Sequence, residues 1–201
     1  MKPHLNNVFK NQGIKDMHNK ALFLDRDGVI NIDYDHIFCI KDFHFIEGIF
    51  DIAHYAQYNG YLLIVITNQA GIGRGLYTIE DFNILSDWMC EQFRNKDIKI
   101  SKIYHSPYHP TAGLGKYKRN HISRKPNPGM IIEASVEFDL DLANSIFIGD
   151  RKTDMEAGLR AGVGKNLLFS PNEECSDHQS FDYITIRSLH DAAVYVQRYK
   201  E

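Results

Sequence analysis

Apolar positions along this chain alternate between two periods. Residues 20–24 and 61–67 are short runs rich in Leu, Ile, Val and Phe. Such runs suit strands buried on both faces, as in a parallel sheet. Residues 98–105 read as a third strand, 146–149 as a fourth, and 166–169 and 183–186 as short late ones. Between them the period lengthens. Residues 48–59 set Ile49, Ile52, Ala53 and Ala56 on one helical face, with Gly60 as the stop. Residues 79–93 do the same with Phe82, Leu85, Met89 and Phe93, behind a Thr78 cap. Further helices are expected over 128–138, with Pro128 in the first turn, over 153–161, and over 188–198 at the end. Repeated strand–helix units predict an α/β fold, a parallel sheet with helices on both faces.

Composition narrows the setting. The chain has 201 residues, 43% hydrophobic and 24% charged, which suits one domain over residues 20–201. Residues 1–19 are polar, lack the apolar core of a signal peptide, and are expected to form a flexible tail. The net charge of −3 comes with no basic stripe for nucleic acid and no apolar run long enough for a membrane. Cys39, Cys90 and Cys175 form neither a C-x-x-C motif nor an even disulfide set, so a reducing cytoplasm is expected. Two segments, 29–45 and 106–127, are too long for simple connections and too short for a folded cap domain. They should rim an open site.

Candidate chemistry gathers where the expected strands end. Leu24-Asp25-Arg26-Asp27-Gly28 follows the first strand, and this edge of an open α/β sheet is where ligands bind. One carboxylate there can attack phosphorus while its neighbour handles the proton of the leaving oxygen. Taken alone, Asp-x-Asp is as often an ordinary turn. The second strand ends at Thr67, followed by Asn68, Gln69 and the glycine-rich 70–75, whose hydroxyl and backbone N–H groups suit phosphate oxygens. Arg124 and Lys125 precede the third expected helix and can neutralise a carboxylate and a phosphate. Asp150 ends the fourth strand and offers a hard cation a further oxygen ligand. Asp154, four residues on, can orient Lys125 or water, or cap the helix.

In that order these motifs resemble the haloacid dehalogenase (HAD)-like phosphohydrolase superfamily. LDRDGVIN, FIEG, VITNQAGIGRG, YHSPYHP, SRKPNPGM and GDRKTDMEAG are similar to its D-glycero-D-manno-heptose 1,7-bisphosphate 7-phosphatase group, from about residue 21 to 169. The resemblance implies a Rossmann-like sheet without a large cap domain. It implies Asp25 as nucleophile, Asp27 as general acid and base, and Thr67 and Lys125 as stabilisers of the transferring phosphoryl group. Magnesium would be held by Asp25, the Asp27 backbone carbonyl and Asp150. Substrate contacts are implied for Asp33, Tyr34, Asp35, His36, Asn68, Gln69, Ala70, Arg124, Lys125 and Arg151. Arg74 joins them as a group suited to a second phosphate. The expected partner is a small sugar phosphate, handled by a monomer and feeding nucleotide-activated heptose to a surface polysaccharide. Cations nearby should keep Asp25 ionised, whereas Asp27 needs surroundings that let it hold a proton.

One segment departs from the group. Relatives commonly carry a zinc loop patterned C-P-H-H-P then C-x-C-R-K-P, and the four ligand positions read here Ser106, Tyr108, His121 and Ser123. Only His121 is a good ligand, so no zinc is expected. A rearranged site using His105 and His109 is the alternative to solvated loop histidines. Tyr104, Tyr108 and Tyr117 are candidates to hold the loop by packing. Two rival functions stay open: a histidinol-phosphate phosphatase or other small sugar-phosphate phosphatase, and a non-catalytic sugar-phosphate-binding protein on an enzyme fold.

Overall fold

A computed structural model describes residues 18–172 and 182–197. The tail expectation for 1–19 falls almost wholly outside them, as does Cys175. Strands β1 (Lys20–Leu24), β2 (Tyr61–Asn68), β3 (Ile100–Ser106), β4 (Ile146–Gly149), β5 (Lys165–Phe169) and β6 (Ile184–Ile186) form one sheet in the order β3-β2-β1-β4-β5-β6. Every pairing is parallel. Alternation along β1 divides the core. Leu22 and Leu24 face α1 (Ile49–Tyr58) and α3 (Ile79–Arg94), while Ala21 and Phe23 face α4 (Gly129–Phe138) and α5 (Lys152–Ala161). The helices therefore cover both faces, as the periodicity requires.

Local chemistry sets the element ends. Thr78 Oγ1 accepts from the Asp81 N–H, and the Asp81 side chain accepts from the Thr78 N–H, a reciprocal cap that starts α3. Gly162, left-handed at φ 86°, ends α5. Most boundaries fall within two residues of expectation. Two elements differ. A four-residue helix α2 (Ala70–Gly73) forms inside the glycine-rich stretch read as a connection. The closing helix is a 3-10 segment, Leu189–Tyr195, whose buried residues Leu189 and Ala192 lie three apart, matching the tighter turn.

Order reverses at β1, which lies between β2 and β4. This is the switch point where a crevice opens beyond the strand ends. Asp25, Thr67 and Asp150 come from the carboxyl ends of three adjacent strands, β1, β2 and β4. No second folded unit interrupts the sheet among the described residues. Leu63 sits fully buried in β2, opposite Leu22 and well below the crevice. Leu63→Ala should cost about 2–5 kcal/mol in denaturant unfolding, the range for a core cavity; a loss below about 1 kcal/mol would show that the sheet core is not close-packed there.

Candidate active site

Lys125 is the hub of the crevice. Its Nζ lies 2.8 Å from Asp25 Oδ2 and 2.7 Å from Asp154 Oδ1, and donates to the Ile66 carbonyl at 2.9 Å. Three acceptors match three ammonium donors in a side chain only 2% exposed. Burial pulls the Lys125 pKa down, but Asp154 and Asp25 more than offset it, so the pKa lies above its usual value. Asn68 fixes the same residue from behind: its amide accepts from the Lys125 N–H and donates to the Lys125 carbonyl, both at 3.1 Å. Asp154 also accepts the Arg151 N–H at 2.9 Å, which caps α5. It thus fills two of the roles open to it from sequence.

Asp27 points into a different set of donors. Arg26, 1% exposed, donates through Nη2 to both Asp27 oxygens at 2.9 Å, and to the Ile37 carbonyl at 2.7 Å. Asn31 Nδ2 donates to Oδ1 at 3.1 Å, and Gln69 Nε2 to Oδ2 at 2.9 Å. Gln69 also donates to Thr67 Oγ1 at 2.9 Å, which leaves the threonine proton for another acceptor. The sequence reading gave Arg26 and Asn31 no role. Their signal was only position, one and four residues from Asp27.

Asp25, Asp150 and Asp154 bring ligand-capable oxygens within 4.8 Å of one another. Burial first, with Asp154 and Asp150 adding to it, pushes the Asp25 carboxyl up to about 8 against the pull of Lys125. The expectation that nearby cations keep Asp25 ionised thus has Lys125 acting for it and burial with two carboxylates acting against it. Burial and Asp154 likewise push Asp150 up to about 6, against Arg151 and Lys125. Asp150 Oδ1 is buried without a hydrogen-bond partner. A hard divalent cation fits this all-oxygen, negatively charged set. Asp25 and Asp154 each already pair with Lys125 and accept a backbone N–H, whereas Asp150 meets only a distant Arg151 at 3.7 Å and is the carboxylate most open to such a cation.

A cleft of about 440 Å³ joins the centre to the rim. It is lined by every expected site residue except Asp150 and Tyr34. Asp150 stands at the acidic cluster just described. Tyr34 is 59% exposed, lies edge-on to His44, and borders a separate cavity of about 380 Å³. The turn explains this. Asp35 and His36 take positive φ of 60° and 54°, which carries His36 inward to Arg74 Nη1, at 2.8 Å, and leaves Tyr34 outside. Asp33 accepts from Asp35 N and from Arg151 Nη2, at 3.0 and 2.7 Å. Arg124 Nη1 donates to the Tyr108 carbonyl at 3.0 Å. Ala70 opens the short α2.

The four positions of the relatives' zinc loop come together without cysteines. Ser123 Oγ donates to Ser106 Oγ at 3.0 Å, and His121 Nδ1 takes the Ser123 N–H at 3.2 Å and contacts its Oγ at 2.7 Å. The Tyr108 ring stacks on His121 with centroids 3.8 Å apart, and Arg119 donates to the Tyr108 hydroxyl. Tyr117 packs on Tyr108, as expected, but Tyr104 turns away to donate to Glu137. His105 packs on Phe82, and His109 Nδ1 accepts backbone N–H groups of Thr111 and Ala112. These histidines do not share ligand geometry here: among the described residues, the one group placed to hold a metal ion is Asp25, Asp150 and Asp154.

Paired carboxylates, a strand-end threonine and a buried lysine at the switch point of a parallel sheet define a HAD-like phosphohydrolase. Residues 122–182 match the family model described as HAD-hydrolase-like. D-glycero-alpha-D-manno-heptose-1,7-bisphosphate 7-phosphatase of Burkholderia mallei is 53% identical over 152 residues, 76% of this chain and 80% of that protein. The beta-named enzyme of Vibrio cholerae is 38% identical over 186 residues, 92% of this chain and all of that one. The solved structure of D,D-heptose 1,7-bisphosphate phosphatase from B. bronchiseptica, complexed with magnesium and phosphate, superposes with a TM-score of 0.73. Its identity is 26%, covering 88% of this chain and 96% of that one. The chain belongs to the heptose-1,7-bisphosphate 7-phosphatase family of HAD-like hydrolases.

Gly28 tests the acidic cluster. Its φ is +86°, and a Cβ there would lie 2.2 Å from Asp150 Oδ2. Gly28→Ala should therefore displace Asp150 and weaken divalent-metal activation about 10–100-fold, the usual effect of disturbing a ligand's support. Unchanged metal activation would remove Asp150 from the metal site.

Proposed function

We propose that this protein removes the 7-phosphate of D-glycero-D-manno-heptose 1,7-bisphosphate through an aspartyl-phosphate, with Mg²⁺ as cofactor. The observation that carries the reading is the Lys125 ammonium held between Asp25 and Asp154, beside an Asp27 locked by Arg26, Asn31 and Gln69. Asp25 attacks phosphorus as the bond to the sugar oxygen breaks, and Asp27 gives that oxygen its proton. Asp27 then takes a proton from water, whose oxygen attacks the aspartyl-phosphate. Inorganic phosphate leaves and Asp25 is restored. Thr67 and Lys125 donate to the phosphoryl oxygens as charge shifts onto them. Bound magnesium neutralises phosphate charge beside Asp25, Asp150 and the Asp27 carbonyl.

Arg74, Arg124 and Arg151 line the outer cleft, and His36, Asp33 and Asp35 border it. A substrate with a second phosphate gains a charge-assisted bond, ~1.5–3 kcal/mol, from each arginine it reaches. This favours a bisphosphate over histidinol phosphate, which has no second anion. The intact catalytic set disfavours a purely binding role. The alpha anomer is the first to test, since the Burkholderia relative carries that name at the higher identity. We take it to act as a monomer in the cytoplasm, supplying nucleotide-activated heptose to a surface polysaccharide.

Phosphate release should be measured on both heptose bisphosphate anomers, other sugar phosphates and histidinol phosphate. The heptose bisphosphate should show the highest kcat/KM, by about ten- to a hundredfold over histidinol phosphate for one arginine contact kept in the transition state. Equal efficiency would fail the substrate assignment and keep the phosphatase. Asp25→Asn should lower turnover by several orders of magnitude with the fold intact; near-wild-type turnover would end the aspartyl-phosphate mechanism.

The metal requirement is separately measurable. Chelation should abolish activity and magnesium should restore it. Elemental analysis of untagged protein should find no stoichiometric zinc, because the Ser106–Ser123–His121–Tyr108 cluster holds the loop by hydrogen bonds and stacking. About one zinc per chain would refute this.

A further inference from the structure

Tyr77 belongs to none of the roles assigned above. It lies between α2 and α3 and is 6% exposed. Its ring stacks on Phe38, with centroids 5.2 Å and planes 12° apart. It also fills the space over Gly71, where a Cβ would come within 2.1 Å of the ring. Its hydroxyl donates to Gln69 Oε1 at 2.5 Å. That bond anchors the end of the Gln69 amide opposite the catalytic pair. With Oε1 held by Tyr77, Nε2 donates to Asp27 Oδ2 and Thr67 Oγ1, both at 2.9 Å. The Asp27 carboxylate only accepts, so it requires Nε2 on its side, and the Tyr77 hydroxyl then holds Oε1 in place. Gln69 is 1% exposed, so protein partners decide its orientation. Burial pushes the Tyr77 phenol up to about 12, with Asp27 acting in the same sense and Arg26 against it. The hydroxyl thus keeps its donor proton across the neutral range.

We propose that Tyr77 is a positioning residue for leaving-group protonation: by fixing the Gln69 amide it holds the Asp27 carboxyl in the orientation that delivers its proton to the departing oxygen. This rests on the phosphatase reading, in which Asp25 bonds to phosphorus, the phosphorus–oxygen bond breaks, and the Asp27 proton goes to the freed alkoxide. Gln69 is then a holder of Asp27 and Thr67, and the contact expected of it with substrate is not needed.

A general acid matters when the leaving oxygen is basic. A sugar alkoxide needs a proton to depart, and p-nitrophenolate does not. The parameter kcat/KM extends only to the first irreversible step, transfer to Asp25, before Asp27 acts as a base. The experiment is therefore kcat/KM for heptose 1,7-bisphosphate and for p-nitrophenyl phosphate, in magnesium, for wild type, Tyr77→Phe, Gln69→Leu and the double variant. Tyr77→Phe keeps the ring that packs on Phe38 and Gly71. It should lower the ratio of the two kcat/KM values about three- to tenfold, the factor that one ordinary hydrogen bond commands. Gln69→Leu should lower the ratio at least as far. The double variant should go no lower than Gln69→Leu alone, because Tyr77 acts through Gln69. Equal proportional losses on both substrates would mark Tyr77 as merely structural and overturn the proposal, as would an unchanged ratio or additive losses. A wild type that hydrolyses neither substrate would overturn the phosphatase reading, and this proposal with it.

Discussion

The active centre depends on one buried ammonium. Lys125 carries a positive charge at 2% exposure, a position that is costly unless every donor is met and the charge is balanced. Asp25, Asp154 and the Ile66 carbonyl meet those conditions, and each arrives from a different element: β1, α5 and β2. Lys125 itself comes from the long segment before α4. The pair is therefore less a stability device than a register for four parts of the chain. Removing one partner of such a buried pair typically costs about 3–5 kcal/mol, because the other charge is left stranded. That penalty enforces the geometry the chemistry needs.

The same burial creates an imbalance that the protein alone does not resolve. Three carboxylates, Asp25, Asp150 and Asp154, share one lysine at close range, and Arg151 reaches Asp150 only at 3.7 Å. Desolvation and mutual repulsion raise the Asp25 and Asp150 pKa values together. A divalent cation bound beside this cluster would oppose both effects. Asp27 stands apart from this cluster, among Arg26, Asn31 and Gln69. Two aspartates separated by one residue thus occupy different electrostatic neighbourhoods, Asp25 beside two carboxylates and one ammonium, Asp27 among N–H donors.

Much of this was legible in the chain, for identifiable reasons. Period-two and period-3.6 patterns locate strand ends well, so Asp25, Thr67 and Asp150 are legible at the edge of the sheet, whereas Lys125 is legible only as a basic residue ahead of a helix. What the pattern does not encode is where a side chain's hydrogen bonds go. Asn68 and Gln69 read as substrate contacts, yet Asn68 clamps the Lys125 peptide and Gln69 bridges Asp27 and Thr67. A substrate contact at Tyr34 is implied only by the family resemblance, and two left-handed residues after it turn its ring to a neighbouring cavity. The loop cluster was invisible for a related reason. Ser106 and Ser123 lie 17 residues apart, and only folding makes them partners.

Rim arginines show how an open cleft still acquires selectivity. Arg74 is held by His36, Arg124 by the Tyr108 carbonyl, and Arg151 by Asp33. Each guanidinium spends part of its fork on the protein and keeps other N–H groups for a ligand. Pre-orientation lowers the side-chain entropy lost on binding, about 0.5–1.5 kcal/mol for each immobilised chain. These holding contacts are themselves weak. The Arg151–Asp33 pair involves a 62% exposed arginine, and such surface pairs contribute little to stability. The arginines are thus aimed without being locked, so a dianionic phosphate can outcompete a carboxylate or carbonyl for the same donors. A neutral substituent offers no such exchange. On the bisphosphate reading, a second anion would meet Arg74, Arg124 and Arg151 at the edge of the centre without any cap domain.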